Sequence, residues 1–368
     1  MKIAIDAHML GDQEGGNETY VTGILKGFEQ LSLGKQAEIT ALYNPNYKIL
    51  AADKSKILTS RYTTHNNFHR LFVETAYICR NLQIDLLHAT YNVSPFIRLP
   101  YVVTVHDVIF RLYPQYFSPR VRLLLTTLMP VSMWRARIVI TVSETSKRDI
   151  IQFYPFTRNK IVVTHEAGGP IVNVQGEPTV VDKYTQGKEF ILTVGTVQPR
   201  KNIARLVQAY IILRQLQITT ARLVIVGRSQ WQGSEIQQIA AGSMYSHDII
   251  FTGYLDDAAV AALYQACAVF IYPSLYEGFG LPLLEAMSFG APVITSNTSS
   301  LPEVAGDAAL LIDPLSIEQI TDALKRILTD PNLSENLRMC GRKRASQFTW
   351  QRTALETLEA YKLALNML

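Results

Sequence analysis

Short apolar runs alternate with amphipathic helical patterns along the whole chain. Lys2–Asp6 reads as a first strand. Glu18–Leu33 reads as a helix with Val21, Ile24, Leu25 and Phe28 on one face. Leu86–His88, Tyr101–His106, Arg137–Val142 and Lys160–Thr164 read as further strands, and Ser143 is placed to cap a helix through Phe153. A second series begins at Phe190–Gly195 and continues through Leu223–Gly227, Ile249–Gly253, Val269–Tyr272, Val293–Ser296 and Ala309–Ile312. Helical patterns fill the gaps at Asn202–Leu216, Asp256–Ala268 and Pro282–Phe289. Strands of unbroken Val, Ile and Leu separated by helices belong to parallel sheets covered on both faces. The fold class expected is α/β, with two Rossmann-like domains in tandem facing a cleft. Ligands of such domains lie at the carboxyl ends of the strands.

Between the two series, Gly168–Lys188 loses periodicity and collects Gly168, Gly169, Pro170, Gly176, Pro178 and Gly187. It reads as an interdomain linker. The division expected is 1–170 for the first domain, 171–188 for the linker and 189–348 for the second domain. Residues 349–368 form a C-terminal helix placed to pack back on the first domain.

Composition changes this picture little. The chain of 368 residues is 48% hydrophobic, enough for a real core in each half. A net charge of +4 is too small for a dedicated nucleic-acid binder and fits an anionic small ligand or an anionic membrane face. Cys79, Cys267 and Cys340 are widely spaced and form neither a disulfide framework nor a metal cluster. The N-terminus lacks the apolar region of a signal peptide, and no apolar run reaches the roughly 18 residues of a membrane span. A cytoplasmic setting is expected.

The most informative segment runs from Ala268: AVFIYPSLYEGFGLPLLEAMSFGAPVITS. A strand ends near Tyr272, a loop with Gly278 and Gly280 follows, and Pro282 suits a first helical turn because its missing N–H costs nothing there. Strand, glycine loop and helix N-terminus together make an anion site. Glu277 beside that site can accept hydrogen bonds from sugar hydroxyls. Glu285, about one turn into the helix, can accept from ribose hydroxyls. A glycine loop alone is equally an ordinary βα unit with a solvated Glu and a capping Glu. The intact Glu277-Gly-Phe-Gly-Leu-Pro-Leu-Leu-Glu285 combination is far more specific.

That combination resembles the EX7E motif of glycosyltransferase family 4, retaining enzymes of GT-B fold. Further matching pieces are Gly15-Gly16, the stretch from Val142 to Asp149, the stretch from Val194 to Asn202, and Gly253-Tyr254-Leu255. The resemblance covers nearly the whole chain. It implies an acceptor-side first domain and a donor-side second domain. It also implies that Glu277 binds the donor sugar, that the backbone of Gly278, Phe279, Gly280 and Leu281 touches sugar and phosphate, and that Glu285 binds the ribose. By the same resemblance, Gly253, Tyr254 and Leu255 are expected at the same donor site.

Arg200 and Lys201 follow a strand end at Gly195 and precede a helix at Asn202. Two cations there can neutralise a departing diphosphate, the main charge that develops in glycosyl transfer. From spacing alone they are also compatible with a solvated pair. Many relatives carry Arg directly after the glycine that ends this strand. Here the residue is Thr196, which is kept only as a donor-side contact. The loop Gly11–Asn17 resembles the family's Gly-Gly loop, with Gly15 and Gly16 beside donor phosphate and acceptor and Asn17 able to cap the first helix. The alternative is a plain tight turn. His106 ends a strand, and its counterpart in the family contacts the donor sugar; Asp107 is a candidate to orient it. His8, His88 and His165 read as structural.

Arg120–Arg137 is apolar between arginines and reads first as a core helix with basic ends, second as a membrane-surface helix meeting a lipid-linked acceptor. No Asp-x-Asp occurs, and Asp256-Asp257 reads as a helix cap, so no essential metal and no cofactor are expected. The expected partners are a nucleotide-sugar donor and a glycan or lipid-linked acceptor, with no nucleic acid.

The reaction expected is hexosyl transfer with retention in polysaccharide biosynthesis. UDP-glucose is favoured as donor on family frequency, with a GDP-mannose-dependent mannosyltransferase and a GT-B nucleotide-sugar epimerase as alternatives. A dinucleotide oxidoreductase is excluded because Gly278-Phe-Gly280-Leu-Pro-Leu283 lacks a third glycine. A secreted sugar-binding protein would need a signal peptide.

Overall fold

In a computed structural model, residues 1–11, 15–31, 33–34, 36–44, 56–64, 66–228 and 235–366 are described. The chain divides into two units. Met1–Ala167 joins Phe348–Leu368 in the first, and Gly168–Gln347 forms the second.

The first unit holds a parallel sheet of β1 (Lys2–Ala7), β2 (Glu38–Tyr43), β3 (Leu58–Arg61), β4 (Leu86–Thr90), β5 (Tyr101–Thr104), β6 (Ile138–Thr141) and β7 (Ile161–Val163). Their order is β3-β2-β1-β4-β5-β6-β7. The second unit repeats the plan with β8 (Phe190–Val194), β9 (Arg222–Val226), β10 (Ile249–Gly253), β11 (Val269–Tyr272), β12 (Val293–Ser296) and β13 (Leu310–Ile312), ordered β10-β9-β8-β11-β12-β13. In both sheets the chain starts at a central strand, winds outward to one edge, and then crosses to fill the other side. The topological switch therefore falls between β1 and β4 in one sheet and between β8 and β11 in the other, where ligands of such sheets bind. Both sheets are the expected Rossmann-like type.

β2 and β3 carry no signal in the sequence reading. β3 is an edge strand with the mostly exposed sequence Leu58-Thr-Ser-Arg61, so burial imposes little pattern on it. The segment read as a linker is not extended chain. Pro170–Asn173 is a single 3-10 turn and Thr179–Thr185 a helix, both within the second unit. Arg222 clamps its end, donating to the Tyr184 carbonyl at 2.9 Å and to Gln186 Oε1 at 2.5 Å, while Lys188 pairs with Asp248 at 2.9 Å.

The C-terminal helix, Trp350–Asn366, packs on the helix Gly16–Gln30 inside the first unit. Two glycines permit that approach. A Cβ at Gly23 would lie 2.1 Å from the Trp350 ring, and one at Gly27 2.1 Å from the Trp350 carbonyl. Tyr361 reaches the sheet, its hydroxyl 2.6 Å from His88 Nδ1, and His88 Nε2 lies 2.7 Å from Thr104 Oγ1. His88 is thus a structural link between helix and sheet.

The core-helix reading of Arg120–Arg137 needs correction. The helix Pro119–Arg135 buries only Met129, Ser132 and Met133, and leaves Val121, Leu123, Leu124, Val131 and Trp134 exposed. Among the described residues, no helix is long and apolar enough to cross a membrane.

Candidate functional site

In the second unit, β8 and β11 flank the topological switch, and the residues that leave their carboxyl ends meet there. After β8 the chain passes Gly195 and Thr196 and makes a 3-10 turn at Pro199–Lys201. Asn202 follows in a left-handed conformation, with φ +60°, and its amide donates to the carbonyls of Pro273 and Pro314 at 3.1 and 2.6 Å. This ties the turn to the start of the loop after β11. The Leu275 N–H donates to the Arg200 carbonyl at 2.8 Å, a second tie between the same two segments.

Glu277 lies at the meeting point and is only 8% exposed. Its Oε1 is 2.7 Å from Lys201 Nζ, and its Oε2 is 2.7 Å from Arg200 Nη1. Arg200 Nη1 also donates to the Tyr276 carbonyl at 3.2 Å. Lys201 donates in addition to the Tyr272 hydroxyl and sits 4.6 Å from the centroid of that ring. Below Glu277, its own N–H donates to Ser299 Oγ at 3.1 Å. The Ser300 hydroxyl donates to the carbonyls of Glu277 and Phe279. The two cations therefore hold the carboxylate, and the two serines hold the backbone that carries it.

Electrostatics follow from this geometry. Burial pushes the Glu277 carboxyl up, but the Arg200 and Lys201 charges outweigh it and hold it down, at about 2. Burial also disfavours the Lys201 cation and brings it to about 8 against the pull of Glu277. At neutral pH two cations face one carboxylate, so a positive charge remains for an anion. A carboxylate has more lone pairs than two ion pairs consume, and an ammonium has three N–H donors. Glu277 can still accept from hydroxyls, and Lys201 can still donate to a phosphate oxygen while holding Tyr272 and Glu277.

The glycine loop is buried at Gly278, Phe279 and Gly280. It leads into the helix Leu281–Phe289 with Pro282 in its first turn. Gly280 precedes the helix at φ +120° with no side-chain cap, which leaves the backbone of the first turn for another acceptor. Glu285 lies further along this helix. Burial raises its carboxyl to about 7 although the Tyr264 hydroxyl donates to Oε2 at 3.2 Å. Gly253 ends β10 at φ +73°, and its carbonyl accepts from the Gly227 N–H at 2.9 Å. Tyr254 is 60% exposed, with Arg228 4.7 Å from its ring centroid; Leu255 beside it is half-buried. Thr196 is also half-buried. Asp256 caps the next helix, its carboxylate accepting from the Ala259 N–H at 2.9 Å.

Gly15, Gly16 and His106 belong to the first unit. The first helix begins at Gly16 and is preceded by Gly15 at φ +64°, so Asn17 lies inside it and is not its cap. Residues 12–14 of that loop lie outside the described residues. Beyond either glycine nothing stands within 4 Å of where a Cβ would be, leaving the backbone open to approach. His106 follows β5, buried against Tyr20 at 4.8 Å edge-to-face and Tyr91 at 5.6 Å stacked. Asp107 Oδ1 accepts from the Ile109 N–H at 3.0 Å, whereas the carboxylate facing His106 Nδ1 is Glu166, at 3.5 Å.

Sequence reasoning missed Glu166, Tyr272, Ser299 and Ser300. Glu166 adjoins a predicted strand end and Tyr272 is a predicted strand terminus, so both were open to suspicion. The two serines lie after β12 and carry no local signal.

Residues 15–167 match the family described as Glycosyltransferase Family 4, and residues 181–344 match Glycosyl transferases group 1. The chain is 35% identical to the O-antigen chain mannosyltransferase B of Escherichia coli, over 71% of this chain and 70% of that one. It is 36% identical to a GDP-mannose-dependent alpha-(1-6)-phosphatidylinositol dimannoside mannosyltransferase of Mycobacterium tuberculosis, over 38% of this chain and 35% of that protein. Among solved structures, Anabaena HepE in complex with UDP and glucose superposes with a TM-score of 0.74 at 20% identity, covering 98% of this chain and 99% of that one, a likeness of fold. With two parallel Rossmann-like sheets, the EX7E segment and these matches, the chain belongs to glycosyltransferase family 4 and is a glycosyltransferase of GT-B fold.

Proposed function

We propose that this glycosyltransferase is a retaining mannosyltransferase that moves mannose from GDP-mannose to a glycan or lipid-linked acceptor in surface polysaccharide synthesis. The observation that carries the donor-site reading is the pairing of Glu277 with both Arg200 and Lys201 at the switch between β8 and β11. It combines an acceptor for sugar hydroxyls with a surplus positive charge for a diphosphate. The named mannosyltransferases support mannose over the UDP-glucose expected from family frequency. They also support transfer over the epimerase alternative.

In this reading Glu277 orients the mannose through its hydroxyls, and Glu285 accepts from the ribose. Lys201, Arg200 and the backbone of the glycine loop stabilise the diphosphate as the bond from the anomeric carbon to its oxygen breaks. The acceptor oxygen forms its new bond on the same face, and its proton passes to the departing diphosphate oxygen. For the first unit taken by itself, the family resemblance supports reading Gly15 and Gly16 as phosphate-side backbone and His106 as a sugar contact. Thr196 and the segment Gly253, Tyr254 and Leu255 line the nucleotide side.

The exposed Val121, Leu124, Val131 and Trp134 of the helix Pro119–Arg135, with Arg120 and Arg122 beside them, support seating on an anionic membrane face that presents the acceptor.

Thermal-shift measurements with GDP, UDP, ADP and their sugars test the donor. GDP and GDP-mannose should raise Tm most, because a ligand stabilises the state it binds in proportion to its affinity. Greater protection by UDP-glucose, with transfer of glucose and not mannose, overturns the mannose reading.

A further inference from the structure

We propose that Glu166 is a positioning residue for His106, its carboxyl facing Nδ1 and so fixing the tautomer and the orientation of the ring. This rests on the reading of His106 as a sugar contact. Glu166 follows β7 and is 3% exposed; His106 follows β5 and is 8% exposed. The carboxyl Oε1 stands 3.5 Å from Nδ1 and is buried without a hydrogen bond, and Nε2 is likewise buried without one. A buried carboxyl oxygen without a hydrogen bond is costly, and the polar atom that Oε1 faces is His106 Nδ1. Which imidazole nitrogen carries the proton is set by the bond the other one makes.

The ring has little freedom to turn away. Tyr91 stacks on it and Tyr20 meets it edge-on. The Tyr20 hydroxyl is itself held 3.0 Å from Thr104 Oγ1. The other titratable groups around the pair are Asp107, whose charge acts on Glu166, and His88, which His106 disfavours as a cation. Burial keeps His106 neutral, bringing it to about 4, and burial with the Asp107 charge raises Glu166 to about 8. A neutral carboxyl donates its O–H to Nδ1. The proton of the neutral ring then resides on Nε2.

The experiment is a double-mutant cycle on the full chain, using Glu166→Leu, Glu166→Gln, His106→Ala and the Glu166→Leu/His106→Ala pair. Glu166→Leu should lower kcat roughly 10- to 100-fold, the scale met when an orienting partner of a functional imidazole is lost. Glu166→Gln should restore most of that loss, since its amide N–H can donate to Nδ1. In the His106→Ala background, Glu166→Leu should cost little more. Equal losses with and without His106, or no rescue by Gln, overturn the proposal.

A readout without turnover separates this from the donor reading. Nitrogen-15 NMR of the His106 ring should show the Nε2-protonated tautomer in the wild type and a mixture in Glu166→Leu. If no nucleotide sugar is turned over, the functional reading fails while the tautomer still decides the pair. A wild-type ring protonated at Nδ1 overturns the pair whatever the activity.

Discussion

Lys201 Nζ lies 2.7 Å from Glu277 Oε1, so the cation proposed for the diphosphate and the carboxylate proposed for the sugar are held by each other. Removing either leaves its partner buried and unpaired, which is why this contact serves structure and chemistry together. Glu277→Ala should lower stability by about 3 kcal/mol, the scale of a broken buried ion pair. It should also reduce transfer by about 100-fold or more, through loss of sugar orientation and of the fixed cations. Tm and kcat of the purified variant check both. Glu277→Ala with wild-type transfer removes Glu277 from the site.

The alkaline side of the pH profile should report Lys201. Burial lowers this lysine to about 8, so it loses its proton as pH rises through that value. The surplus positive charge at the switch then disappears and the leaving diphosphate is less well stabilised. Transfer should therefore fall above about pH 8. Lys201→Arg, which cannot lose its proton, should flatten that limb even with a lower plateau. A limb unchanged in Lys201→Arg assigns it to another group.

Much of this was legible in the sequence, for identifiable reasons. β11 and β12 were placed to the residue, because buried parallel strands are continuous apolar runs bounded by turn residues. The cluster of Arg200, Lys201 and Glu277 was legible as parts, since each follows a strand that ends at one edge of the same sheet. Their mutual pairing was not, because it depends on β8 and β11 being neighbours, a property of strand order. The helix Thr179–Thr185 inside the segment 171–188 was not legible because glycine and proline were read as absence of structure. That helix is held by Arg222 at the start of β9, and Lys188 beyond it by Asp248 in the turn before β10. The helix Pro119–Arg135 misled in the opposite direction, Leu123 and Leu124 being taken for core when they face solvent.

The acid limb of stability should report Glu277. Its folded value, about 2, lies below the ordinary 4.5. Its contribution is thus fully present above about 4.5 and is lost as pH falls towards about 2. Chemical denaturation of the wild type across this window should show stability falling. Glu277→Gln, which has no proton to take up, should show a shallower slope. Identical slopes in the two proteins would falsify the assignment of this limb to Glu277.

The switch between β8 and β11 also depends on a glycine that no motif marks. Gly227 follows β9 at φ +143°, and a Cβ there would lie 2.1 Å from the Gly195 carbonyl oxygen and 3.2 Å from the Thr196 nitrogen. Both are backbone atoms of the segment that leads to Arg200 and Lys201, so neither can swing aside as a side-chain end could. Gly227→Ala adds left-handed backbone strain of ~1–3 kcal/mol to this clash. The relief available is to push Gly195–Thr196 away, which moves both cations from Glu277. Gly227→Ala should therefore lower Tm and weaken nucleotide protection in the thermal-shift assay, even though residue 227 carries no polar side chain. A variant with unchanged Tm and unchanged nucleotide protection shows that the segment yields freely and that its position does not set the site.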